Sequence, residues 1–164
     1  MLAAYNSWAN DLIYEAAAAA GEAALWQDVG LAFVSLGGTL NHILVADRIW
    51  LKRFTGQGDA PAALDTILFR DIDRLREARR AEDRRIIDYI GELSPEGLRG
   101  RFSYLTMTDM RTISQRLAPA LAHLFNHQTH HRGQAHAALT RLTGSAPALD
   151  LVAFQRTESG RAFA

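Results

Sequence analysis

Breaks are few in this chain, and their positions decide what it can fold into. They fall at Gly21, Gly30, the Gly37-Gly38 pair, Gly56, Gly58, Pro61, the Ser94-Pro95-Glu96-Gly97 run, Gly100, Gly144 and Pro147. Between them lie long stretches rich in Ala, Leu, Arg and Glu, all strong helix formers. Alternating strand patterning is scarce, and Phe102–Thr106 is the one segment expected to be extended. The spacing predicts a first helix from about Ala3 to Ala20 and a second that begins between Leu31 and Thr39 and ends near Phe54. A third is capped by Asp65 and runs to about Leu93, and a fourth is capped by Thr108 or Asp109 and runs to about Leu142. After Pro147 the chain is expected to be extended, and residues 157–164 to fray. An all-α, single-domain four-helix bundle over residues 1–156 follows. The connections Thr55–Leu64 and Ser94–Met107 exceed what tight antiparallel turns need, so at least one is expected to cross over the bundle.

Charge and composition exclude several functions. Lys and Arg number 18, as do Asp and Glu, and the net charge is zero. No basic stripe is evident, so nucleic-acid binding, which depends on displacing counterions from phosphates, is not expected. No basic region precedes an apolar run at the start of the chain, and no segment approaches the roughly 18 apolar residues of a membrane helix. A soluble cytoplasmic protein without membrane contact is expected. The third helix alternates charges from Arg70 to Asp88, which reads as a solvated face laced with weak ion pairs of about 0.2–0.5 kcal/mol each. The chain has no cysteine. Disulfides, thiolate metal sites and a cysteine nucleophile are therefore excluded, and a transition metal would need His, Asp or Glu ligands.

The chain has six histidines, and five lie between His123 and His136. Each helical residue advances about 100°. With His127 at zero, His131 falls near +40°, His123 and His130 near −40° and −60°, and His136 about opposite. The apolar stripe of the same helix, marked by Ile113, Leu117, Ala120, Leu124, Ala135, Ala138 and Leu142, falls at about +20° to +80°. His131 lies inside that stripe and His127 at its edge, so these two project inward together. Imidazoles one turn apart suit a single ion, and a third ligand is expected from a facing helix. His42, set among apolar neighbours, is the remaining histidine. Three neutral imidazoles would make an open site of catalytic type. Packing and hydrogen bonding alone would also accommodate them, at a cost for burying several titratable groups together. The residue after His127 is Gln128, not the Glu of a zinc-protease helix, so no general base is evident. Asp47 is a candidate partner for a ligand imidazole, with an ion pair to Arg48 or Lys52 as the alternative.

The segment Leu40-Asn41-His42-Ile43-Leu44-Val45-Ala46-Asp47-Arg48-Ile49-Trp50, followed by His123-Leu124-Phe125-Asn126-His127-Gln128-Thr129-His130-His131-Arg132-Gly133-Gln134, resembles the DinB family of the DinB/YfiT-like superfamily. Tyr5-Asn6-Ser7-Trp8-Ala9-Asn10 is similar to its first-helix motif, and Leu149-Asp150-Leu151 with Phe154 to its C-terminal segment. The resemblance implies an up-down-down-up bundle and a divalent metal, nickel or zinc, held by His42, His127 and His131. It also implies a homodimer. Characterised relatives include transferases and isomerases that use low-molecular-weight thiols. Gly37 departs from the family pattern, where many relatives carry His, and the departure bears on the surroundings or the mouth of the site. His130, Arg132 and Gln134 belong to the same motif. His130 and Gln134 are candidates to support the ligands, and Gly133 is expected to permit close helix approach.

These readings lead to a metal-dependent enzyme acting on a small molecule. It would be a transferase using an external low-molecular-weight thiol, or a related hydrolase, with a metal-bound water or thiolate as nucleophile. The alternative is a non-catalytic metal-binding stress or interaction protein, supported by the lack of an evident general base; the family's damage-inducible name would invite nucleic-acid binding, which the balanced charge opposes.

Overall fold

A computed structural model describes residues 1–106 and 109–164. Its helices are α1 (Leu2–Ala20), α2 (Glu22–Trp26), α3 (Leu36–Thr55), α4 (Ile72–Glu92), α5 (Pro95–Arg99), α6 (Leu117–Thr143) and α7 (Leu151–Gln155), with strands β1 (Arg101–Leu105) and β2 (Thr112–Arg116) between α5 and α6. The long helices α1, α3, α4 and α6 form the bundle. Helix α1 packs on α4 and α6, and α3 packs on the same two, so α1 and α3 lie diagonally. Side-chain pairs set the directions. Asp11 meets Arg80 and Asn6 meets Asp83, so α1 and α4 are antiparallel. His42 meets His131 and Trp50 meets His123, so α3 and α6 are antiparallel. Asn41 meets Phe69 and Phe54 meets Tyr89, so the segment leading into α4 and α4 itself run with α3. The order is up-down-down-up, and the crossover is the segment between Thr55 and Ile72.

Local chemistry explains most of the helix ends. Ser35 caps α3 by accepting from Gly38 N at 3.1 Å, and Gly56, at φ 74°, closes it in the left-handed region. Asp71, not Asp65, caps α4, accepting from Arg74 N at 2.8 Å. The chain before it stays irregular because Asn41 of α3 takes over its backbone groups. Asn41 Oδ1 accepts from Leu68 N and Phe69 N at 2.8 and 3.0 Å, and its Nδ2 donates to the Phe69 carbonyl at 3.0 Å.

Two further expectations change. Helix α6 begins at Leu117; of the two expected caps, Asp109 lies in a turn and Thr108 lies outside the described residues. Thr112–Arg116 instead pairs antiparallel with Arg101–Leu105, with Ile113 opposite Tyr104. Ile113 therefore belongs to a strand and not to the helical stripe, in keeping with the strand preference of β-branched residues that find a partner. After Pro147 the chain forms α7 and then, where fraying was expected, a turn and a 3-10 segment at Arg161–Phe163. Phe154, buried against Tyr5 and Trp8, stacks on Phe163 and holds this end to α1. Among the described residues no helix is long and apolar enough to cross a membrane.

The charge run of α4 is not wholly a solvated face. Arg79, Glu82 and Asp83 are buried, and only Leu75 and Ile86 add fully buried apolar side chains. Arg79, 1% exposed, places Nη1 2.6 Å from Asp47 Oδ2 on α3 and Nη2 3.1 Å from Asp83 Oδ1. Asn6 and Asn10 of α1 donate to Asp83 Oδ1 at 3.2 and 3.0 Å, and Arg132 of α6 donates to both of their side-chain oxygens. Gln128 of α6 donates to Asp47 Oδ2 at 2.7 Å. One polar network thus ties all four long helices. Burial, partly offset by Arg79, raises the Asp47 carboxyl to about 6 and also raises that of Asp83.

Removing the cation of this network strands two buried carboxylates, so Arg79→Met is expected to cost roughly 3–5 kcal/mol in urea unfolding. Gly133 behaves differently: a Cβ there would meet nothing within 4 Å, so it does not serve close helix approach. Gly133→Ala is expected to raise stability by about 0.5–1 kcal/mol through helix propensity, read as a higher urea midpoint.

Candidate metal centre

The three histidines named from the sequence meet between α3 and α6. Among the described residues, His42, His127 and His131 each offer one ring nitrogen, and these lie within 4.8 Å of one another. His42 Nε2 is 3.2 Å from His127 Nε2 and 3.2 Å from His131 Nε2. His127 and His131 reach the same point because they sit one turn apart on the inner face of α6.

The far side of each ring decides what that convergence means. His42 Nδ1 is 2.8 Å from the Leu64 carbonyl oxygen, which can only accept. The proton is therefore on Nδ1, and Nε2 of the neutral ring carries a lone pair. His131 Nδ1 is 2.8 Å from Gln134 Oε1, with the same consequence, and Gln134 Nε2 donates onward to His130 Nε2 at 3.3 Å. Two acceptor nitrogens thus face each other at hydrogen-bond distance with no proton between them. His127 brings a third ring nitrogen to the same point, and its Nδ1 is buried without a protein partner to fix its tautomer. Protonation is a poor remedy. Burial first, then the neighbouring imidazoles, pushes His127 down to about 3. Burial also lowers His42 and His131, against hydrogen bonds to Leu64 and Gln134 that raise them.

A divalent cation relieves this convergence. Imidazole nitrogens about 2.0–2.1 Å from one ion at tetrahedral angles stand roughly 3.3 Å apart, close to the 3.2 Å that separates His42 Nε2 from each of the other two. The donor set is neutral nitrogen only, which suits a borderline metal such as zinc or nickel.

The surroundings come from loops that the sequence pattern does not reveal. Phe33 stacks on His42 at 3.7 Å between ring centroids and 14° between planes, and lies edge-on to His131. It is held there by a tight turn in which Val34 takes φ 67°, an unfavourable angle for a β-branched residue. A Cβ at Gly38 would stand 2.0 Å from the Phe33 carbonyl oxygen, so glycine is required for that loop to approach α3. Gly37 neither supports a ligand nor shapes the mouth. A Cβ there would meet Trp26 and Leu25 at 3.0–3.1 Å, so the Trp26 ring fills the space of a larger residue.

The remaining named residues separate clearly. Gln134 contacts a ligand imidazole, and His130, which is exposed, lies edge-on to that ring at 4.8 Å between centroids and also meets Gln134. Asp47 contacts no histidine; its carboxylate takes Arg79 and Gln128, and neither Arg48 nor Lys52 pairs with it. Arg132 is buried against Asn6 and Asn10, and His136 lies on another face of α6, beside Tyr5. Sequence reasoning missed Leu64 and Phe33. Neither carries a motif, and each reaches the site through a loop.

Fold and site define a helical-bundle protein with a three-histidine group able to hold a metal ion. The DinB family model matches residues 1–161 of the 164, and the chain belongs to the DinB family. No curated protein and no solved structure matches it.

The depressed His127 gives a signed prediction for the metal-stripped protein. Its folded pKa lies below the ordinary value of 6.5, so in that interval the unfolded chain binds more protons. Stability contributed by neutral His127 is present above pH 6.5 and is lost as pH falls toward the folded value. Urea midpoints between about pH 7 and pH 4 should fall more steeply for the stripped wild type than for stripped His127→Leu.

Proposed function

We propose that this protein is a metal-dependent enzyme whose ion is held by His42, His127 and His131. The observation that carries the proposal is the meeting of three ring nitrogens, two of which, on His42 and His131, are left as acceptors by the hydrogen bonds at their far sides. When bound, a divalent nickel or zinc ion supplies Lewis acidity and lowers the pKa of a water or thiol that reaches it. The chain's own residues do the positioning. Leu64 O and Gln134 Oε1 fix the tautomers of two rings, and Phe33 covers His42 on its loop side.

The reaction best supported is transfer to or from an external low-molecular-weight thiol, or a related hydrolysis. The chain supplies no thiol of its own. His123 lines a cavity together with His127. Within this reading the substrate is a small molecule and the working unit a cytoplasmic homodimer. One observation favours a non-catalytic metal-binding protein instead: no carboxylate among the described residues contacts the three ligand rings.

Metal analysis of purified variants tests the site. His42→Ala, His127→Ala and His131→Ala are each expected to lose stoichiometric metal, whereas His136→Ala keeps it. Full occupancy in His127→Ala would overturn the three-histidine site. For catalysis, electrophiles offered with a panel of thiols should give turnover that vanishes on chelation and returns with metal. Tight metal binding without turnover across the panel would instead establish the non-catalytic reading.

A further inference from the structure

The inner face of α3 continues past His42 through Ala46, Ile49, Trp50 and Arg53, at helical spacing. With β1 and α6 it lines a cavity of about 360 Å³ that includes Trp50, Arg53, Leu64, Tyr104, His123 and His127. That is within the range of small-molecule sites, roughly 300–1,000 Å³. Of the candidate metal ligands His127 lines it, and so does Arg53. A second cavity of about 410 Å³ adjoins it, shares Arg53 and Tyr104, and adds Lys52.

Arg53 is unusual among the cations of this chain. Its Cζ lies 4.3 Å from the Tyr104 ring centroid and 4.7 Å from that of Trp50, so the guanidinium is held against two aromatic rings. That leaves the N–H edge available for planar recognition of an anion. Among the described residues, the ion pairs of the chain include neither Arg53 nor Lys52. Arg53 is half-buried, and its charge is disfavoured by that burial without a carboxylate to offset it. A half-buried, aromatically clamped guanidinium in a cavity of this size is arranged for a carboxylate that the protein does not supply.

We propose that Arg53 is the anion-binding residue of a substrate cleft beginning at His127, and that the cleft takes an elongated organic acid. The apolar or aromatic body lies along Trp50 and Tyr104, and the carboxylate is held by Arg53, with Lys52 adding positive potential. The Arg53 guanidinium lies 4.7 Å from the Trp50 ring, Trp50 lies 5.0 Å from His123, and His123 lies 5.8 Å from His127, so two rings stand between Arg53 and His127, which is why the acid is elongated. The assignment of the reactive end rests on the proposed metal site, but Arg53 and its aromatic clamp do not depend on that ion.

The test titrates 4-phenylbutyrate and its uncharged counterpart 4-phenylbutyramide into metal-loaded and chelator-stripped protein, followed by calorimetry and tryptophan quenching. The carboxylate is expected to bind at least about tenfold tighter than the amide in both forms, the scale of one charge-assisted hydrogen bond. Arg53→Gln should bring the two affinities together with metal content unchanged, and Arg53→Lys should keep part of the preference. Tyr104→Leu should weaken both ligands and, by releasing the guanidinium from its clamp, narrow the preference for the carboxylate. Equal affinities in the wild type, or a preference that survives Arg53→Gln, would overturn the proposal. A preference lost on chelation with Arg53 intact places the carboxylate at the histidines; it overturns the Arg53 assignment and leaves the metal reading standing. A preference that persists in protein unable to take up metal supports Arg53 and removes the metal reading.

Discussion

The guanidinium of Arg79, buried between Asp47 and Asp83, is the interaction on which the rest of this bundle depends. Helix α4 brings little apolar surface to the core, so hydrophobic burial alone does not seat it. Its inward face is polar, and each inward group must find a partner on a neighbouring helix or leave a charge in low dielectric. Asp47 on α3, Asn6 and Asn10 on α1, and Arg132 and Gln128 on α6 meet that demand. Such a network adds little net stability compared with apolar packing, yet it tolerates only one register. A slip of one residue on any helix would break several charged contacts together.

That register is what assembles the candidate metal centre. Asp47 lies little more than one turn beyond His42, and Gln128 follows His127 directly. The Asp47–Gln128 hydrogen bond therefore locks α3 against α6 beside the point where the imidazoles converge. The loops then complete the site. Asn41 pins the crossover onto α3, and the same crossover delivers the Leu64 carbonyl to His42 Nδ1. The Phe33 turn, admitted by Gly38, covers the other side of that ring. A helical frame fixes the ligands, and loops set their tautomers and their exposure.

Much of this was legible from residue order, for physical reasons that also mark where legibility stops. His127 and His131 could be paired because the 100° step of a helix relates them to an apolar stripe that must face inward. The ends of α1 and α3 were close to expectation because their punctuation is local. Other readings failed where a distant partner overrode local preference. Thr112–Arg116 is a strand because β1 lies beside it, not because of its own pattern. Arg79 looked like a solvated charge because a sequence does not show its counter-charge Asp47, 32 residues away, and Asp83 because its amide partners Asn6 and Asn10 lie on α1. Asp47 read as a partner for a ligand imidazole for the same reason.

By itself the sequence determined the helical class, the family resemblance, the lack of any thiol, and the histidines able to share an inner face. These follow from covalent order and helical periodicity, which act over a few residues. Only the tertiary structure decided that three imidazole nitrogens meet at one point, that Leu64 and Gln134 hold the outer protons of two of those rings, and that Arg53 is left without a carboxylate partner among the described residues. Those facts depend on which groups from distant parts of the chain occupy the same few ångströms, and that is settled by packing and by the partners that buried charges require.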